Sequence, residues 1–144
     1  MATAANNSAV ASIRFLGDWR IIQEGDIEPG GKLIINYDTG RLPNYRRQRR
    51  EAVFWRVEIY VKFHPGGHLE VGSPLEPVRN GDHGPSIDYR PKPYELLVPP
   101  DAAQVEMWFY TTDREIGGSS EAWDSRYGQN YWFDVARGNR SSAD

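Results

Sequence analysis

The stretch AVFWRVEIYVKF, residues 52–63, constrains this chain more than any other. Its odd positions, Val53, Trp55, Val57, Ile59, Val61 and Phe63, are all apolar, and its even positions include Arg56, Glu58 and Lys62. Neighbouring side chains of a strand point to opposite faces, so this run predicts a strand with one buried face. A helix would scatter the same six residues around its circumference. Shorter runs repeat the pattern. SIRFL (12–16) and WRIIQ (19–23) flank a turn at Gly17-Asp18, and KLIINYD carries Leu33, Ile35 and Tyr37 in phase. HLEV follows the turn HPGGH, QVEMWFY puts Val105, Met107 and Phe109 on one side, and YWFDV does the same with Tyr131, Phe133 and Val135.

Between these runs, GSPLEPVRNGDHGPSIDYRP is dense in Gly and Pro and holds no long strand. With 14 Gly, 10 Pro and 12% aromatic residues, the composition suits short strands joined by tight turns. The expectation is an all-β, antiparallel, immunoglobulin-like β-sandwich of about seven or eight strands, with a small β-barrel as the alternative. At 144 residues, with no internal repeat or break in composition, one domain is expected over 12–136. Residues 1–11 read as a flexible leader and 137–144 as a flexible tail.

Composition narrows the chemistry. A net charge of −3 with 26% charged residues gives no global field for nucleic acid or an anionic membrane. The absence of cysteine removes disulfides, thiolate zinc sites and thiol nucleophiles. No window approaches the roughly 18 apolar residues of a membrane span, and MATAANNSAVAS has neither the charged nor the apolar region of a signal peptide. A soluble, cytoplasmic protein is expected, without nucleic-acid or membrane partners. RLPNYRRQRR (41–50) holds five of the 17 Lys and Arg. It reads as a solvated loop, although Tyr45 and the arginines have the chemistry to meet a base and phosphates, or a carboxylate on a small ligand. His64, His68 and His83, with Asp82 or Asp88, form at most a loose set. A zinc site needs three or four ligands converging at about 2.0–2.2 Å, so no metal or cofactor is expected.

The phase of the strands gives the candidate site. With the odd faces of the two best strands inward, their opposite faces carry Phe54, Tyr60, Trp108 and Tyr110, and the last strand adds Trp132 beside Asp134. Rings set among Arg56, Glu58, Lys62 and Glu106 make a platform for sugars or flat organic ligands. The competing reading is a sheet buried on both sides. EAWDSRYGQNYWFDV (121–135) adds Trp123, Asp124 and Asn130, where Asp can cap a loop and Gly128 and Asn130 tolerate positive φ.

Two resemblances rest on quoted residues. Trp123, Asp124, Gly128, Asn130 and Tyr131 resemble the Trp-Asp-Asn-Asn…Gly-x-Asn-Tyr motif of the starch- and glycogen-binding modules of family twenty-one, with Ser125 and Arg126 departing from the Asn pair. That resemblance implies aromatics stacking on α-glucan rings. GDWRIIQEGDIEPGG, INYDTGRLPNYR, VEIYVKFHPGG, VPPDAAQVEMWFY and WDSRYGQNYWFDV together resemble a group of small bacterial proteins filed as a domain of unknown function. This second resemblance implies a compact β-sandwich and no particular activity.

The resulting expectation is a non-catalytic ligand-binding module, for a glycan first, through Trp108, Tyr110, Trp132, Trp123, Asp124, Asn130, Phe54 and Tyr60. The alternative is a small cofactor-free cyclase- or isomerase-type enzyme acting on an apolar or aromatic metabolite in an aromatic-lined cleft. In that case Glu58, Glu106, Asp134 or the pair Asp82-His83 would supply the acid or base. Either form is expected as a monomer or homodimer.

Overall fold

The structure, a computed structural model, describes residues 9–42, 54–79, 87–115 and 118–136. Eleven strands and one short 3-10 turn are described. The strands are β1 (Val10–Phe15), β2 (Ile21–Glu24), β3 (Lys32–Tyr37), β4 (Phe54–His64), β5 (Leu69–Gly72), β6 (Leu75–Arg79), β7 (Ile87–Pro91), β8 (Tyr94–Leu97), β9 (Gln104–Glu115), β10 (Gly118–Asp124) and β11 (Tyr131–Asp134). The 3-10 turn, Thr39–Arg41, follows β3. Among the described residues no helix is long and apolar enough to cross a membrane.

One sheet has the order β2-β1-β3-β8 and a second the order β10-β9-β4-β5, with β11 also paired to β9. A separate hairpin, β6-β7, is built from the Gly- and Pro-rich stretch where no long strand was expected. The architecture is the predicted β-sandwich, and among the described residues no sheet closes into a barrel. It differs from the expectation in two respects. β1 and β3 pair in parallel, Val10 opposite Lys32 through Phe15 opposite Tyr37. The strand count also exceeds seven or eight, because β6 and β7 are too short, and β10 (GSSEAWD) too polar, for alternation to be read.

The alternation over 52–63 holds wherever side chains are described. Val57, Ile59, Val61 and Phe63 are at most 1% exposed, and Arg56, Glu58, Tyr60 and Lys62 face out. β9 supplies Val105, Met107 and Phe109 to the same core, and the facing sheet supplies Ile13, Phe15, Leu33 and Ile35. Each such side chain contributes on the order of 1.5–3 kcal/mol by leaving water. The layers lock where Phe109 meets Phe15 edge-on at 4.7 Å and stacks on Tyr37 at 4.0 Å.

One long side of the sandwich carries the candidate site. β4 occupies one side of β9 over its whole paired length, so β10 and β11 share the other side end to end. They form one edge of their sheet, and β2 is an edge of the other. Below the groove described next, these edges are stitched together. Ile27 bridges Val135, and the Ala136 N–H donates to the Ile27 carbonyl at 2.6 Å.

Candidate functional site

Where the edges diverge, an open groove of about 750 Å³ runs between β2 and the β10–β11 junction. Its floor is polar and buried. Arg41, at the end of the 3-10 turn, has a side chain only 1% exposed and pairs with the Asp124 carboxylate, which is 3% exposed. Arg41 Nε donates to Asp124 Oδ2 at 2.8 Å, Nη1 to the Leu16 carbonyl at 2.9 Å and Nη2 to Tyr131 Oη at 2.9 Å. Asp124 also accepts from the Tyr37 hydroxyl at 2.7 Å and the Tyr131 hydroxyl at 2.5 Å. Burial, followed by the adjacent carboxylate, pushes the Tyr37 phenol well above the usual tyrosine range and raises that of Tyr131. For Arg41, desolvation works against the charge, but its bonds to Asp124 outweigh that cost and raise its pKa. The floor is a hydrogen-bonded network joining both sheets.

The walls are aromatic and exposed. Trp19 lies in the Leu16–Arg20 turn, where the Leu16 N–H reaches the Arg20 carbonyl at 2.9 Å and the Trp19 N–H reaches the Leu16 carbonyl at 3.0 Å. Asp18 fastens that turn, accepting from the Arg20 backbone at 3.1 Å and its Nε at 2.7 Å. Trp19 itself has φ +75°, a left-handed conformation rare for a bulky residue and costing about 1–2 kcal/mol. That conformation puts its ring 4.6 Å from the Arg41 guanidinium. The loop 125–130 supplies the opposite wall through Ser125, Arg126 and Tyr127, with positive φ at Arg126, Tyr127, Gly128 and Asn130. Asn130 N–H closes the loop on the Ser125 carbonyl at 2.6 Å. Backbone of this kind, at both lips of one groove, makes the groove the candidate site.

Trp19 is 59% exposed, Trp123 54%, Trp132 44%, and Tyr127 fully so. Trp132 is held rather than loose. Its Nε1 donates to the Gln129 carbonyl at 2.9 Å, and its ring stacks on His64 at 5.0 Å.

The predicted residues divide between this groove and the outer face of the five-stranded sheet. Trp123, Asp124 and Trp132 line the groove, with Asp124 in its floor. Tyr60 and Trp108 stack in parallel on the outer face at 5.3 Å. Tyr110 leans on Trp123 at 5.0 Å, so Trp123 borders both surfaces. Hydrogen bonding to Glu58 at 2.6 Å, aided by burial, pushes the Tyr60 phenol up to about 12. Asn130 faces neither a ligand nor the groove: its Nδ2 donates to Glu106 Oε2 at 2.7 Å, and His64 Nε2 meets Glu106 Oε1 at 2.8 Å. Phe54 opens β4 opposite Arg114, and its side chain lies outside the described residues.

The two described histidines have separate partners. His64 partners Glu106, and His68 partners Glu70 at 3.0 Å. Asp82 and His83 lie outside the described residues, as does the side chain of Asp88. Among the described residues no three His, Asp or Glu side chains are grouped to hold a metal ion. Arg41 departs from the solvated-loop reading of RLPNYRRQRR, because it is the buried partner of Asp124; residues 43–50 of that run lie outside the described residues. Sequence reasoning passed over Trp19, Arg126 and Tyr127 as site residues and met Arg41 only within the basic run. The available signal was a Trp in GDWR, where a hairpin turn ordinarily takes Gly or Asn.

Fold and site together define a β-sandwich domain with an open, aromatic-rimmed groove along one edge and a buried ion pair in its floor. The chain belongs to the family of unknown function DUF6209, whose model matches residues 2–136. No curated protein and no solved structure matches it.

Proposed function

We propose that this domain is a non-catalytic glycan-binding module and that the groove between β2 and the β10–β11 junction is its binding site. The observation that carries this reading is the exposure of Trp19, Trp123, Tyr127 and Trp132 around one groove. Large rings are normally covered, and four of them at the lips of one concave surface present flat apolar faces at little entropic cost. A groove of about 750 Å³ falls within the usual range for ligand sites. It is open rather than enclosed, which suits a chain-like sugar entering from the side. The enzyme alternative is less well supported. Asp124, the carboxylate of the groove lining, is already engaged by three protein donors. Glu106 faces His64 and Asn130 instead. A cytoplasmic bacterial setting belongs to the same proposal, supported by the cysteine-free composition and the bacterial resemblance.

Tryptophan fluorescence provides the test. Titration with maltoheptaose, a cello-oligosaccharide and a short oligogalacturonate should produce a saturable change for at least one, with affinity about tenfold weaker in Trp132→Ala. Flat responses to all three would sink the glycan reading.

A further inference from the structure

The charges around the groove are unbalanced. Arg41 and Asp124 neutralise each other in the floor. Arg126, exposed on the loop wall, has no hydrogen-bond or ion-pair partner among the described residues. The groove lining therefore carries an uncompensated positive charge on a chain whose net charge is −3.

The hydrogen-bonding inventory is lopsided in the same direction. A carboxylate offers about four acceptor sites, and Asp124 spends three on Tyr37, Arg41 and Tyr131. It has little left for sugar hydroxyls, which need acceptors. Donors, by contrast, are in surplus. Of the five N–H groups of a guanidinium, Arg41 commits Nε to Asp124, its Nη1 pair to the Leu16 and Arg20 carbonyls and one Nη2 hydrogen to Tyr131. The second Nη2 hydrogen has no acceptor among the described residues, on a side chain 1% exposed that lines the groove. A buried donor left unpaired is costly, and an occupant that brings an acceptor relieves that cost.

We infer that the groove selects acidic saccharides, in which a uronate carboxylate meets Arg126 and the spare Arg41 donor while the sugar ring lies on Trp19, Trp123 or Trp132. This deepens the glycan reading and rests on it. A planar carboxylate accepts two parallel N–H bonds from a guanidinium, which a neutral hydroxymethyl group cannot do. The buried Arg41 donor rewards an acceptor in any charge state, and Arg126 adds the preference for an anion.

A short oligogalacturonate and its fully methyl-esterified form separate charge from sugar shape. Both are titrated by tryptophan fluorescence at low and at physiological salt, into the wild type and Arg126→Gln. Because Arg126 is exposed and without a protein partner among the described residues, its replacement leaves the fold in place. The acid form should bind at least about tenfold more tightly than the ester. That gap should shrink with salt and narrow several-fold in Arg126→Gln. Equal affinity for acid and ester, or tighter binding of maltoheptaose than of either, overturns the acidic preference and leaves a glycan site standing. An acid preference that survives Arg126→Gln unchanged overturns its assignment to this groove. Silence from both forms and from maltoheptaose removes the preference and the glycan reading together.

Discussion

Arg41 and Asp124 lie 83 residues apart in sequence and 2.8 Å apart in the structure, and their pairing ties the 3-10 turn after β3 to the end of β10. The ion pair is almost wholly buried in the floor of the groove, so it belongs to the stability of the domain as much as to its site. Breaking such a pair from one side leaves an uncompensated buried charge.

Asp124→Ala should therefore lower stability by about 3–5 kcal/mol, read from urea denaturation midpoints. The double variant Arg41→Met with Asp124→Leu should lose less than the two single variants added together, because neither charge is then stranded. An unchanged midpoint for Asp124→Ala would contradict the buried network.

Trp19 separates backbone strain from ring contact. Trp19→Gly relieves the positive φ, whereas Trp19→Ala keeps it. The glycine variant should be the more stable of the two by about 1 kcal/mol, with both weakened in oligosaccharide binding. Thermal melts in which alanine proves the more stable would show that the strain is not carried at this residue.

The two aromatic surfaces can be told apart by substitution. Trp123→Ala and Trp132→Ala should each weaken oligosaccharide binding about tenfold, or about 1.4 kcal/mol. Trp108→Ala, on the outer face against Tyr60, should change affinity by less than about twofold. A large loss in Trp108→Ala with little effect at Trp132 would move the binding surface to the outer face of the sheet.

Glu106 predicts part of the acid limb. Desolvation alone would raise its carboxyl, but hydrogen bonds from Asn130 and His64, with the charge of His64 and Lys62, outweigh this and hold it below the usual range. A depressed folded-state pKa contributes stability that is present above the unfolded value of 4.5 and is lost as pH falls through the folded value. Glu106→Gln should accordingly lose less stability between pH 7 and pH 3 than the wild type, measured by denaturant titration at each pH. Parallel acid limbs would show that the His64–Glu106–Asn130 cluster carries no pH-dependent stability.

Alternation alone placed Val57, Ile59, Val61 and Phe63 in the core and sent Tyr60 and Trp108 outward, since a strand's two-residue period assigns each side chain a face without reference to its partners. The same logic marked Trp132 as outward-facing and Tyr131 as core. It could not pair strands. The parallel β1–β3 ladder and the shared flank of β9 depend on which edges meet, and nothing local encodes that. Nor could it see the groove. Arg41 reads as the first residue of a solvated basic run, and Asp124 as a loop cap, until the sheets bring them together and two tyrosine hydroxyls close over the pair. Trp19 reads as the start of a strand, but hairpin geometry turns it into a left-handed lip residue over the guanidinium. Faces follow from the order of residues along one strand. A site formed between two sheet edges exists only once long-range packing has offset the cost of burying its charges.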